Sequence, residues 1–80
     1  MKIKIKVFAA LKDYFEPEFE MDVSRGITVA DAMNMIMVRN SFALPVLTKC
    51  RIAVNENFVQ SDYNIQENEE LFIIPPSSGG

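Results

Sequence analysis

The last ten residues hold the groups whose types and spacing can do chemistry. An apolar run, Leu71-Phe72-Ile73-Ile74, leads into a proline pair, Pro75-Pro76, and then into Ser77-Ser78-Gly79-Gly80. Gly79 and Gly80 carry no side chain, so they fit a channel too narrow for any other residue. Pro75 and Pro76 favour extended backbone and project the chain end away from the body at small entropic cost. The expected reactive group is therefore the α-carboxylate of Gly80, with Gly79, Ser78, Ser77, Pro76 and Pro75 threading it into another protein's site. A carboxylate is a poor electrophile and needs activation, typically by ATP to an acyl-adenylate, before a sulfur nucleophile can attack it. The product is a thiocarboxylate, which is anionic at neutral pH and nucleophilic enough to pass its sulfur to an electrophilic carbon.

Side-chain catalysis is a poor alternative. The chain has no histidine and a single cysteine, Cys50, which has no neighbouring base in the sequence. Ser24, Ser41, Ser61, Ser77 and Ser78 likewise lack a partner for proton removal. Cys50 reads most simply as a small buried hydrophobe, and a persulfide role would require an activating polar environment. With no histidine, zinc-finger logic fails, and no metal or bound cofactor is expected. Any ATP would be consumed by the activating enzyme.

Composition bounds the rest. Eighty residues, 49% of them hydrophobic, describe one small domain, whose net stability would be about 4 to 12 kcal/mol. That leaves little room for a strained catalytic site and favours a carrier or binding role. A formal charge of −3 and a sequence pI near 4.8 argue against nucleic acid or an anionic membrane as partner. One cysteine permits no intrachain disulfide, which fits a reducing, cytoplasmic setting. The alternating start, Met1 to Lys6, offers no apolar signal core, so a soluble and unprocessed start is expected.

Several elements must position the tail. Ile3, Ile5 and Val7 alternate with Lys2, Lys4 and Lys6 over residues 2–8, the period of a half-buried strand. Phe19, Met21 and Val23 alternate with Glu18, Glu20 and Asp22 over 17–23. Antiparallel pairing then sets Lys4 across from Glu20 and Lys6 across from Glu18, so this charge reads as a solvated ion-pair face rather than a site. Ala9 to Phe15 predicts a short helical turn ending before Glu16-Pro17.

Thr28 and Asp31 have the spacing of a capping box. Val29, Ala32, Met33, Ile36 and Met37 follow as one apolar helix face. Asn40 is predicted to close that helix in the left-handed conformation. Met35 and Val38 lie off the face, to be covered by an apolar loop or left for a partner. Phe42, Leu44, Val46 and Leu47, in a stretch where Pro45 interrupts any simple helix, must pack in the core or at an interface. Residues 51–54 and 58–59 predict a hairpin about Asn55-Glu56-Asn57. Glu70 to Ile74, apolar on both faces, predicts a central final strand. The order implies an α+β, β-grasp (ubiquitin-like) mixed sheet with one main helix across it. The domain would span 1–74, and 75–80 would project as the tail. Phe58, Phe72 and Ile74 are the candidate partner-interface residues.

Over essentially its whole length the chain resembles the small subunit of molybdopterin synthase (molybdopterin-converting factor subunit 1), a family of ThiS/MoaD-like sulfur carriers. The residues carrying the resemblance are Val7-Phe8-Ala9-Ala10-Leu11-Lys12, Thr28-Val29-Ala30-Asp31, Ile52-Ala53-Val54-Asn55 with Phe58-Val59, and above all Asn68 to Gly80. The resemblance implies adenylation of Gly80 by an E1-like enzyme, its conversion to a thiocarboxylate, and sulfur transfer to cyclic pyranopterin monophosphate. It also implies that the tail enters a large catalytic subunit, in a heterotetramer of two small and two large chains. Glu16-Pro17 stands where relatives often carry glycine, and Ser77-Ser78 makes the approach more polar than in many of them. The rival readings are a sulfur carrier for another pathway, such as thiamine thiazole synthesis, and a ubiquitin-like modifier joined to target lysines through Gly80. A plain binding module with a passive tail is the third.

Overall fold

Strand alternation and one amphipathic helix account for the architecture of the computed structural model, which describes residues 1–76. The strands are β1 (Lys2–Val7), β2 (Glu18–Asp22), β3 (Arg51–Val54), β4 (Asn57–Val59) and β5 (Glu70–Ile74). They form one five-stranded sheet in the order β2-β1-β5-β3-β4. The first and last strands run parallel side by side, and every other pairing is antiparallel. With helix α1 (Val29–Arg39) across one face, this is the β-grasp arrangement, ubiquitin-like in topology.

The inner face is built by the alternating residues. Ile3, Ile5, Val7, Met21, Ile52, Val54, Leu71 and Ile73 are buried there beneath Val29, Ala32 and Ile36 of α1. The register of the first hairpin is the expected one, Lys4 opposite Glu20 and Lys6 opposite Glu18. The ion pair that forms is nevertheless diagonal, Lys4 Nζ to Glu18 at 3.5 Å, because long side chains reach across a twisted sheet.

Helix α1 begins as the capping spacing requires, with the Asp31 backbone N–H donating to Thr28 Oγ1 at 3.2 Å. Two further N–H groups of its first turn, on Val29 and Ala30, donate to the carbonyls of Tyr63 and Ser61, so the groups a helix start leaves unpaired are met by a loop. Its C-terminus corrects the sequence expectation. Asn40 is extended (φ −153°) rather than left-handed. Its side chain accepts from the Phe42 N–H and donates to the Tyr14 carbonyl. An asparagine able to cap the following turn gains more there than by closing the preceding helix.

The segment after it also departs from expectation, forming a 3₁₀ turn at Ser41–Ala43 and the single-turn helix α2 (Leu44–Leu47). Pro45 falls in the first turn of α2, where a missing N–H breaks no helical bond. Leu47 is core, Val46 is half-buried, and Phe42 and Leu44 are exposed. Met35 and Val38 are exposed too, so no loop covers them.

The remaining connections are tight. A 3₁₀ turn at Ala9–Asp13 follows β1, with Ala9 at φ 52°, a left-handed conformation costing about 1 kcal/mol for a residue with a Cβ. Asn55 and Glu56 both have positive φ, 50° and 74°, the pattern of the primed turns that match strand twist in a two-residue hairpin.

Candidate functional site

The tail leaves the centre of the sheet. β5 pairs with β1 from Lys4–Glu70 to Val7–Ile73 and with β3 from Val54–Leu71 to Arg51–Ile74. Pro75 then has no N–H with which to extend either ladder. Pro75 is half-buried and Pro76 exposed. Ser77, Ser78, Gly79 and Gly80, the residues expected to thread and to react, lie outside the described residues.

Around that exit the open face of the sheet carries a group of apolar and aromatic side chains. Phe72 and Ile74 of β5 alternate with the inner residues and are half-buried. In β3, Ala53 lies opposite Phe72 on one side and Phe58 of β4 on the other. Ala53 is 4% exposed although it points away from the helix-covered core, because the two rings flank it. Phe58 remains 54% exposed. All three residues expected at a partner interface therefore share one face with the strand that becomes the tail.

The structure adds Phe8, which is not among the residues expected from sequence. Its ring meets Phe72 edge-on, with centroids 5.9 Å apart. Continuing the Lys2, Lys4, Lys6 alternation by one step would have found it. Two cations complete the surface: the Arg51 guanidinium lies 3.7 Å from the centroid of Phe58, and Lys6 Nζ lies 6.0 Å from that of Phe8. Both are separations at which a cation and a ring face attract.

The other candidates are placed elsewhere. Cys50 is partly buried, and its thiol donates to the Val46 carbonyl at 3.2 Å. Burial pushes the thiol pKa up, away from the thiolate that sulfur chemistry needs. Cys50 lines a hollow of about 590 Å³ between α1 and the β3–β4 edge, together with Met33, Met37, Leu47, Ile52 and Val59. Arg51 and Phe58 line it as well, so the hollow meets the open face at the β3–β4 edge. At the far end of the sheet, Tyr63 donates to the Glu69 carboxylate at 2.8 Å, and the Gln66 N–H and Asn55 Nδ2 donate to the same carboxylate. This hydrogen bond, helped by desolvation and by the charge of Glu69, raises the Tyr63 pKa. Among the described residues no helix is long and apolar enough to cross a membrane.

The chain is a β-grasp domain whose central last strand continues in sequence into a Pro-Pro-Ser-Ser-Gly-Gly segment. The chain belongs to the ThiS family, whose model matches residues 5–80. Among solved structures it is similar to small archaeal modifier protein 1 (SAMP1) of Haloferax volcanii, at 21% identity and TM-score 0.87 with both chains fully covered. It is also similar to a putative molybdopterin converting factor subunit 1 of Pyrococcus furiosus, at 24% identity and TM-score 0.86, covering 95% of this chain and 98% of that one. A third likeness is to the complex of subunits 1 and 2 of molybdopterin-converting factor from Helicobacter pylori, at 18% identity and TM-score 0.74 with both chains fully covered. These likenesses establish the fold, a ubiquitin-like β-grasp domain.

Proposed function

We propose that this protein is a cytoplasmic sulfur carrier of molybdenum cofactor biosynthesis. The Gly80 carboxylate attacks the α-phosphorus of ATP on an E1-like adenylating enzyme, and pyrophosphate leaves. A sulfide-level nucleophile then attacks the acyl carbon, AMP leaves, and Gly80 ends in a thiocarboxylate. Inside the large catalytic subunit of molybdopterin synthase, that sulfur attacks an electrophilic, oxygen-bearing carbon of cyclic pyranopterin monophosphate, and the broken C–O bond's electron pair goes to the oxygen. Water cleaves the acyl–sulfur bond, which leaves sulfur on the substrate and restores the carboxylate. The small subunit supplies the reacting group but no catalytic side chain, and two small and two large chains form the working heterotetramer.

One observation carries the reading: in a ThiS-family chain, the central strand passes through an exposed aromatic surface straight into prolines and a diglycine. The pathway is supported by the fold likeness to molybdopterin converting factor subunit 1, and the large partner by the Helicobacter pylori complex of subunits 1 and 2. Intact-mass measurement after incubation with ATP, the adenylating enzyme and a sulfur donor tests it. The expected gain is that of sulfur replacing oxygen at Gly80, and an unchanged mass would refute the carrier role. Offering the thiocarboxylate to the pterin and the thiazole acceptor enzymes then decides the pathway. The likeness to SAMP1 favours a second reading, a protein modifier, for which conjugates lost on deleting Gly80 are the expected sign.

A further inference from the structure

We infer that the surface around the tail exit docks onto a protein surface whose apolar hollow is bordered by carboxylates, and that Arg51 and Lys6 read those carboxylates. This rests on the carrier reading, because it describes the chemistry of the enzymes that would take the tail.

Although the chain is acidic overall, with net charge −3, its cations are unevenly compensated. Lys4 is engaged by Glu18 and Arg25 by Glu67. Arg39 lies on the Phe19 ring and donates to the Glu20 carbonyl. Among the described residues, Lys2, Lys6, Lys12, Arg39, Lys49 and Arg51 have no carboxylate within 4.0 Å, and of these only Lys6 and Arg51 stand directly beside β5 in register.

Register places those two cations on either side of β5, Lys6 opposite Phe72 and Arg51 opposite Ile74. The strand that becomes the tail therefore leaves between them. Of the carboxylates on this face, Glu18 stands across from Lys6 in register but turns to Lys4, Glu20 and Glu70 share the next row with Lys4, and Asp22 stands opposite Lys2; none stands opposite Arg51. Each of the two cations also rests over a ring, which orders its stem before any partner arrives and lowers the entropy lost on docking.

An apolar strip bracketed by two ordered cations, neither of them in an ion pair among the described residues, is complementary to an apolar hollow with an acidic border. Such complementarity governs association rate and partner choice more than affinity. The arrangement does not suit a second copy of this chain, whose own surface at that position would present the same two cations.

ATP–pyrophosphate exchange with the purified cognate adenylating enzyme, at varied carrier concentration, tests the inference. Arg51→Glu should raise KM about tenfold and Lys6→Glu several-fold, with kcat nearly unchanged and with the salt dependence of kcat/KM flattened. Arg51→Lys should recover most of the loss. Lys2→Glu, the same charge change at the far end of the face, should leave KM within about twofold. Far-ultraviolet circular dichroism of each variant shows whether the fold is kept. If Arg51→Glu and Lys6→Glu match Lys2→Glu, only net charge matters and the inference fails while the carrier reading stands. If sedimentation shows a wild-type dimer that Arg51→Glu dissociates, a second copy is the occupant and the inference fails. If the wild type supports no exchange, both fail together.

Discussion

Consecutive residues of β5 face opposite environments. Leu71 and Ile73 are wholly buried under α1, while Phe72 and Ile74, one step along the same strand, are half-exposed beside Phe8, Phe58 and Arg51. Both faces are apolar on this strand, but only one is satisfied within the domain. The inner face stabilises the fold, and the open face keeps apolar area available near the exit of the tail. Apolar content alone does not separate the two roles; the presence of a covering element does.

The sharpest way to break this contrast is to truncate both faces at neighbouring positions. Ile73→Ala removes a side chain with no exposure and should cost about 2 to 5 kcal/mol, a large part of what an 80-residue domain has. Phe72→Ala removes a larger side chain but should cost clearly less, because half of it was already in water. Urea unfolding of the pair measures the difference, and equal losses would show that the open face is structural.

Sequence pattern makes much of this division legible. Alternation in Lys2–Val7 and Glu18–Asp22 sets the faces and the register of the first hairpin, because one face has to be buried. Thr28 and Asp31 mark the start of α1 by a purely local rule. Asn40 escapes such a rule because its choice of cap depends on a turn two residues later. The fates of Phe42 and Leu47 depend on where a proline-containing turn packs, which no periodicity records. Phe8 sits in plain alternation but is masked by the helical turn expected right after the first strand. The bracketing of β5 by Lys6 and Arg51 becomes visible only when β3 and β1 are known as neighbours of the last strand.

The contrast also runs along the sheet. The end away from the tail is tied by Glu69, which accepts from Tyr63, Gln66 and Asn55. Tyr63→Phe should cost about 1 to 2 kcal/mol, since a hydrogen bond to a carboxylate is lost while the ring stays. Its effect on tail chemistry should be nil. The same bond gives a pH signature. The folded Tyr63 pKa is raised above the ordinary 10.0, so the contribution is complete below pH about 10 and is lost as pH rises through the raised folded value. Alkaline titration of stability should show this loss in the wild type and not in Tyr63→Phe.

A smaller effect of opposite sign is expected at the same end. Glu56 holds φ 74° in the β3–β4 turn, a conformation that glycine adopts freely and that suits the second position of an Asn-Gly turn begun by Asn55. Glu56→Gly should stabilise the domain by about 0.5 to 1 kcal/mol. A fall in urea midpoint would mean that the Glu56 side chain has a role its exposed position does not suggest.

The least effect is expected where charge is most conspicuous. Lys4 and Glu18 form an ion pair at 3.5 Å with both side chains 49% exposed. Water and salt screen such a pair, and ordering two long side chains offsets much of the attraction. Lys4→Gln should therefore shift stability by no more than about 0.5 kcal/mol, and the shift should vanish in high salt. Lys6, two residues along the same strand and half-buried against Phe8, has no such internal partner among the described residues. Substituting Lys6 should likewise barely move stability, yet it should move partner recognition. If Lys4→Gln and Lys6→Gln changed KM for the adenylating enzyme equally, the open face would be a uniformly basic surface, and the distinction between its two ends would fall.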